Sequence, residues 1–476
     1  MCPVDSVDTV VIGGGTAGLT VAAGMAALGL VVTLVEKHRM GGDCLNWGCV
    51  PTKALIRSAG VAQTVRDAQR YGIDAELRGV LLSAIMARVV AVQADIGVRD
   101  SVARFASLGV RVMIGSAEIR AVDTVAIEGH PVRTRRIVVA TGSRPALPPV
   151  PGLAEAEPWT NVEALQMTAV PTSLVILGGG PIGLEFAQIF ARLGSAVTVV
   201  EMAREVLPRE DSEAAAVVRT VLEQEGVRFL LAARARQVEN HAPVCTVLVE
   251  QAGREFSVTA ERILVATGRR PNVEIPGLAN LGVEMTSRGL GVDAYFRTAV
   301  PQVWAAGDVA GGLQFTHVAA AQAKLVVRNA LFPIKSRLRV HTVPWTTYTD
   351  PELARVGLTE AEARAQHGSV SVYRSPFSAV DRAVIDGRTE GHVKIVTDSR
   401  GRLLGAHIVG VDAGDLLQEV VVALDAGVPV GRLGQVIHPY PSRTEGVLKV
   451  AEEYWRQRLF TGGLMSSLLR WWAQRS

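Results

Sequence analysis

The chain has 476 residues, 48% of them hydrophobic and 20% charged, with a formal net charge of +3. That is the composition of an ordinary globular protein long enough for about three domains, and the absence of a concentrated Lys/Arg patch argues against a nucleic-acid partner. Four cysteines are too few for a secreted disulfide scaffold, so a reducing cytoplasmic setting is expected, where a disulfide is catalytic rather than structural.

Residues 9–35, TVVIGGGTAGLTVAAGMAALGLVVTLV, contain no charge, and hydropathy alone would read them as a membrane span. The glycine triplet instead divides the run into strand, tight turn, helix and strand. The start, MCPVDSVD, lacks the basic segment of a signal peptide. Gly13, Gly15 and Gly18 fit G-x-G-x-x-G, and Glu36 closes the next apolar strand. In that pattern the first glycine permits the turn, the second admits a pyrophosphate, and the third lets helix and sheet approach closely. The helix N-terminus adds amide donors and partial positive charge. Glu36 is placed to accept hydrogen bonds from a ribose diol.

The next segment, GGDCLNWGCVPTK (41–53), spends two of the four cysteines five positions apart. On an ideal helix Cys44 and Cys49 would have Cα atoms about 8.6 Å apart, beyond the about 7 Å that a disulfide spans. A distorted first turn is therefore expected, with Gly41, Gly42 and Gly48 supplying backbone freedom. A buried thiol pair or half a zinc site is the alternative; no second Cys/His pair of ligand spacing accompanies it, so no metal site is expected. Trp47 either narrows the space beside the cysteines or fills core. Cys245, in the apolar run APVCTVLVE, is expected in the core, and Cys2 as a terminal thiol.

The strand-glycine-helix-strand-acid pattern returns about 165 residues on, in LVILGGGPIGLEFAQIFARLGSAVTVVE, with Gly178, Gly180, Gly183 and Glu201. One such glycine loop is weak testimony; two complete units are strong. Each is followed by an apolar strand ending in Ala-Thr-Gly: VVATGSRP (138–145), with Thr141 and Gly142, and LVATGRRP (264–271), with Gly268. A third strand, VWAAGDVAG (303–311), closes on Asp308.

These motifs, in this order, resemble the flavin-dependent pyridine nucleotide–disulfide oxidoreductases, the family of dihydrolipoamide dehydrogenase, glutathione reductase and mercuric reductase. The resemblance runs from about residue 8 to about 455. It implies an α/β fold with two Rossmann-like dinucleotide-binding domains and a C-terminal α+β dimerisation domain. The expected boundaries are an FAD-binding domain at 1–150, an NAD(P)H-binding domain at 151–271, a central domain at 272–343 completing the FAD site, an interface domain at 344–460 that builds a homodimer, and a tail at 461–476. EGHVKIVTD and LLGAHIVG look like interface-domain strands. It further implies that the first glycine loop holds FAD, the second NAD(P)H, and that Asp308 contacts the flavin side. Cys44 and Cys49 would form the redox-active disulfide, Cys49 facing the flavin and Cys44 meeting the acceptor. Lys53 and Glu185 would pair beside flavin and nicotinamide. Glu201 favours NADH, since a carboxylate repels a 2′-phosphate; nearby Arg204 leaves NADPH open.

The C-terminal stretch IHPYPSRTEGVLKVAEEYW (437–455) departs from the family pattern of a His-Pro pair with Glu five residues after the His. Counting back from Glu445 puts Tyr440 in the position of the general base, with His438 two residues earlier. A phenol of pKa near 10 is a poor base at neutral pH, which disfavours dihydrolipoamide or glutathione chemistry. Here, and in FTHVAAAQA (315–323), the chain is more similar to mercuric reductase, although it has neither that enzyme's N-terminal Cys-x-x-Cys domain nor its C-terminal cysteine pair. A soft metal ion or a small-molecule disulfide is the expected acceptor. Dihydrolipoamide dehydrogenase activity and a redox-sensor or docking module are the competing readings. The tail TGGLMSSLLRWWAQRS, interrupted at Gly462-Gly463, suggests a packed or mobile terminal helix, or weak peripheral contact with a membrane.

Overall fold

The computed structural model describes residues 5–460 and 471–475; Cys2 and tail residues 461–470 and 476 lie outside them. The chain forms two compact units, one built from residues up to 172, 237–245 and 260–338, the other from 173–236, 246–259 and 339 onward.

In the first unit the charge-free run is cut where its glycines fall: strand Asp5–Ile12, helix Thr16–Ala27, strand Val32–Glu36. The first strand pairs in parallel with the second on one side and with His130–Val139 on the other. Val303–Ala305 adds a further parallel partner to His130–Val139. The sheet continues through Val110–Ile114 at one edge and the antiparallel pair Ala117–Ala121 and Thr124–Ile127 at the other. Apolar side chains on both sheet faces are buried, Val10 and Ile12 in one cluster and Val11 in another, as parallel strands covered on both faces require. The loops after the strands therefore gather at the carboxyl end of the sheet, where ligands bind in such folds.

The second unit repeats the motif as Ser173–Leu177, helix Pro181–Leu193 and Ala196–Val200, extended by Arg228–Leu230, all in parallel. The same unit holds a five-stranded antiparallel sheet in the order Pro344–Thr347, Glu352–Gly357, Leu403–Gly410, His392–Thr397, Ser371–Pro376. Helices Ala413–Asp425 and Glu445–Phe460 bury one face of it. On the opposite face Arg355, His407, Lys394 and Arg374 stand in register across four strands. Like charges side by side destabilise a sheet, and acids from two helix starts offset them. Lys394 Nζ lies 2.8 Å from Asp211, 3.1 Å from Glu213 and 2.9 Å from Glu360, while Arg374 meets Glu213 and Glu360 at 2.7 and 2.8 Å.

No helix among the described residues is long and apolar enough to cross a membrane. Trp471 and Trp472 are exposed.

Candidate active site

The two glycine loops are wired alike. Gly13 and Gly178 both take φ near +110° (110° and 109°), which only glycine adopts cheaply, and each donates to the neighbouring strand, to Val35 O and Val200 O. Glu36 accepts from Gly14 N at 2.6 Å and from His38 N at 2.8 Å. Glu201 accepts from Gly179 N at 2.6 Å and Ala203 N at 2.7 Å. Each carboxylate thus holds its loop and keeps lone pairs for further donors. A Cβ on Gly18 would fall 1.8 Å from Gly13 O, so helix and loop touch as the motif requires. Gly15 and Gly180 cap the two helices without a side-chain bond, and neither first turn carries an acid. Helix N-termini left open in this way fit phosphate groups, so a dinucleotide suits both loops.

The structure brings the Ala-Thr-Gly segments of the first unit together. Thr141 Oγ1 donates to Asn272 O at 2.7 Å, Asn272 N donates to Gly142 O at 2.9 Å, and Ala146 N donates to Gly268 O at 3.0 Å. Ser143 Oγ donates to Asp308 at 2.5 Å and accepts from Arg269 Nε at 2.8 Å. The far end of the same guanidinium lies 3.1 Å from Asp43 Oδ2. Asp308 and Asp43 are therefore joined through Ser143 and Arg269. Burial pushes the Asp43 carboxyl above its usual range, against the pull of Arg269.

The cysteine segment is not one helix with a distorted first turn. Cys44 lies on the short helix Gly42–Asn46, and Cys49 opens a second, Cys49–Arg66, after a break at Trp47 and Gly48. The break removes the spacing problem, and the two thiols meet by a hydrogen bond. That bond and burial push the Cys44 thiol up. Gly41 and Gly42 have φ of +91° and +61°, and a Cβ on Gly42 would meet Gly15 Cα at 2.6 Å. The cysteine segment and the first glycine loop are thus in backbone contact. Thr316, the first residue of helix Thr316–Leu331, places its hydroxyl 3.4 Å from Cys49 Sγ. Lys53, one turn beyond Cys49, lines a groove of about 380 Å³ with Cys49, Val50, Arg88 and Val92. Trp47 is half-buried, its carbonyl accepting from Asn161 Nδ2 at 2.6 Å. Cys245 is buried.

In the second unit Glu185 is a buried residue, not a surface one, and accepts from Tyr348 N at 3.0 Å. His438 has both ring nitrogens engaged, Nε2 at 3.0 Å from Glu419 and Nδ1 at 3.0 Å from Val436 O. Tyr440 is 74% exposed and donates to Asp381 at 2.9 Å, a bond that raises the phenol's pKa further. Glu445 pairs with Lys449 at 3.0 Å.

Asp43, Ser143, Arg269 and Thr316 carry no mark in the sequence that sets them apart on their own. Ser143 and Arg269 each directly follow an Ala-Thr-Gly, and Asp43 directly precedes Cys44; that adjacency was the available signal.

Two glycine-loop units and a paired-thiol segment against the first of them define a flavoprotein disulfide oxidoreductase of the class I type. The chain belongs to the pyridine nucleotide-disulphide oxidoreductase family: that family matches residues 7–323, and its dimerisation domain matches 343–451. The family is FAD-dependent and uses a pyridine nucleotide, and the dimerisation domain supports a homodimer. The chain is 37% identical to a dihydrolipoyl dehydrogenase of Thermus scotoductus, over 95% of this chain and 98% of the relative. It is 32% identical to a mercuric reductase of Bacillus cereus, over 93% and 70% respectively. Among solved structures it is similar to the HOCl-induced flavoprotein disulfide reductase RclA from Escherichia coli, with a TM-score of 0.85 and 30% identity over 94% of this chain and 99% of that one.

Proposed function

We propose that the protein passes reducing equivalents from NADH, or NADPH, to the Cys44–Cys49 pair and from there to a soft metal ion or a disulfide, in the manner of mercuric reductase. The observation that carries this reading is the meeting of the two thiols at the break between two helices, in contact with the first glycine loop. Gly13, Gly15, Gly18, Glu36 and Asp308 would hold FAD, which would supply hydride acceptance and two-electron reduction of a disulfide. The second loop, with Gly178, Gly180, Gly183 and Glu201, holds the nicotinamide nucleotide. Cys44 meets the acceptor, and Lys53 provides positive charge beside the redox centre.

The acceptor assignment leans on Tyr440. A phenol already donating to Asp381 is no proton acceptor at neutral pH, whereas a soft cation that binds both sulfurs displaces the remaining thiol proton to solvent and needs no protein base. A solved Cu(II) complex of RclA is in keeping with metal chemistry in this structural class. The test is anaerobic NADH oxidation by the FAD-loaded protein with Hg(II) held in excess thiol. Steady turnover that needs both cysteines supports the proposal; flavin reduction without metal-dependent turnover overturns the metal acceptor. The 37% identity to a dihydrolipoyl dehydrogenase favours a second reading, dihydrolipoamide oxidation. NAD⁺ reduction driven by dihydrolipoamide would select it.

A further inference from the structure

We propose that Thr316 is a positioning residue that holds the Cys49 sulfur in place as the anion of the reduced pair. The inference rests on the reading of Cys44 and Cys49 as the redox pair and adds a residue to that site. Cys49 is the first residue of an 18-residue helix, so its sulfur lies at the end of a helix where backbone amides and partial positive charge favour a thiolate. A second helix, of 16 residues, begins at Thr316 and directs a hydroxyl to the same sulfur at 3.4 Å, within reach of a hydrogen bond to sulfur. Facing an anionic sulfur, that hydroxyl can only donate, because a thiolate has no proton to give.

The other half of the pair is weighted the opposite way: the Thr316 hydroxyl also reaches the Cys44 sulfur and pulls its pKa down, but stronger influences push that thiol up. Cys44 is half-buried, is hydrogen-bonded to Cys49, and has the Asp43 carboxylate as its chain neighbour. Burial and negative charge both disfavour ionisation there. The single proton of the half-ionised dithiol therefore belongs on Cys44, pointing at Cys49, and the Thr316 hydroxyl supplies a second donor to the sulfur that carries the charge. Because Thr316 comes from a separate helix 267 residues away, it also fixes the direction from which that sulfur is held.

The experiment measures iodoacetamide alkylation of Cys49 against pH in the reduced, FAD-loaded homodimer, in a Cys44→Ser background so that one active-site thiol reports. With Thr316→Val, which keeps the branched shape, the midpoint of the Cys49 profile is expected to move up by about one pH unit, and the rate well below the midpoint to fall about tenfold. Thr316→Ser, which keeps the hydroxyl, is expected to follow the parent. Superimposable Val and parent profiles would overturn the proposal, as would a Ser variant that shifts like Val. If NADH reduces the flavin but never the parent disulfide, the redox reading fails instead, and the alkylation profiles still report on Thr316 separately.

Discussion

Asp43 shows how much of the chemistry is decided by single side chains. It is chained to Arg269, and through Ser143 to Asp308, so its charge is balanced by one guanidinium. In Asp43→Asn that guanidinium loses a carboxylate partner, and the negative charge that acts on Cys44 is removed. The ratio of Cys44 alkylation by anionic iodoacetate to that by neutral iodoacetamide is expected to rise several-fold; an unchanged ratio would show that Asp43 does not set the local charge. Cys49→Ser, by contrast, leaves the glycine loop intact and is expected to keep FAD bound while abolishing dithiol-dependent turnover, read from the flavin spectrum and NADH oxidation. The cysteine pair was legible because its members and their flanking glycines are close in sequence. Thr316, Ser143 and Arg269 were not, because their partners lie 126 to 267 residues away, and a single sequence shows no such pairing. The placement of Glu185 had the same obstacle, since the backbone amide it meets belongs to Tyr348.

At the scale of elements, the antiparallel sheet contrasts with its sequence pattern. HVKI, the first four residues of HVKIVT, alternates as a strand with one wet face would, and its existence as a strand was readable. Yet the Lys394 face is covered too, so the side chain is only 2% exposed and its partner Asp211 4%. Asp211 also accepts from Glu213 N at the start of helix Ser212–Gln224, so one carboxylate caps a helix and neutralises a strand. Lys394→Met would strand the buried acid and is expected to lower stability by about 3–5 kcal/mol, measured by urea unfolding. His407, in the same row, is fully buried, with Nε2 at 3.1 Å from Leu358 O. Burial brings its pKa down from 6.5 to about 4. Between those values the unfolded chain binds a proton that the folded one refuses, so stability is full above pH 6.5 and is expected to fall as pH drops towards 4. His407→Gln should flatten part of that slope; an unaltered slope would place the effect elsewhere. The cysteine helices carry the opposite lesson. Spacing alone demanded a departure from regular helix, but the choice of a full break over a strained turn depended on Trp47 and Gly48 taking non-helical backbone angles, which no periodicity reveals.

For the whole molecule, the dimerisation domain leaves apolar side chains uncovered within a single chain. Ile437 is 96% exposed, with Val422 and Val436 also exposed, beside a groove of about 460 Å³ lined by Val428, Leu433 and Pro439. Such a surface in a family with a dimerisation domain is expected to be covered by the second copy. Ile437→Asp should therefore shift the protein towards monomer in sedimentation, with little change in helix content; an undisturbed dimer would move the interface elsewhere. The order of the nucleotide units was legible because each is a local pattern repeated, and their internal wiring proves nearly identical. Their surroundings are not. A side chain on Gly15 would meet Gly42 Cα at 3.5 Å, whereas one on Gly180 would meet nothing within 4 Å. On the proposed reading, the redox segment closes the floor of one cradle and leaves the other open, which separates a tenant from a visitor. Passage of the loaded protein through a desalting column should carry flavin along with it and leave nicotinamide behind, so a preparation's colour would persist through the very step that empties its fuel.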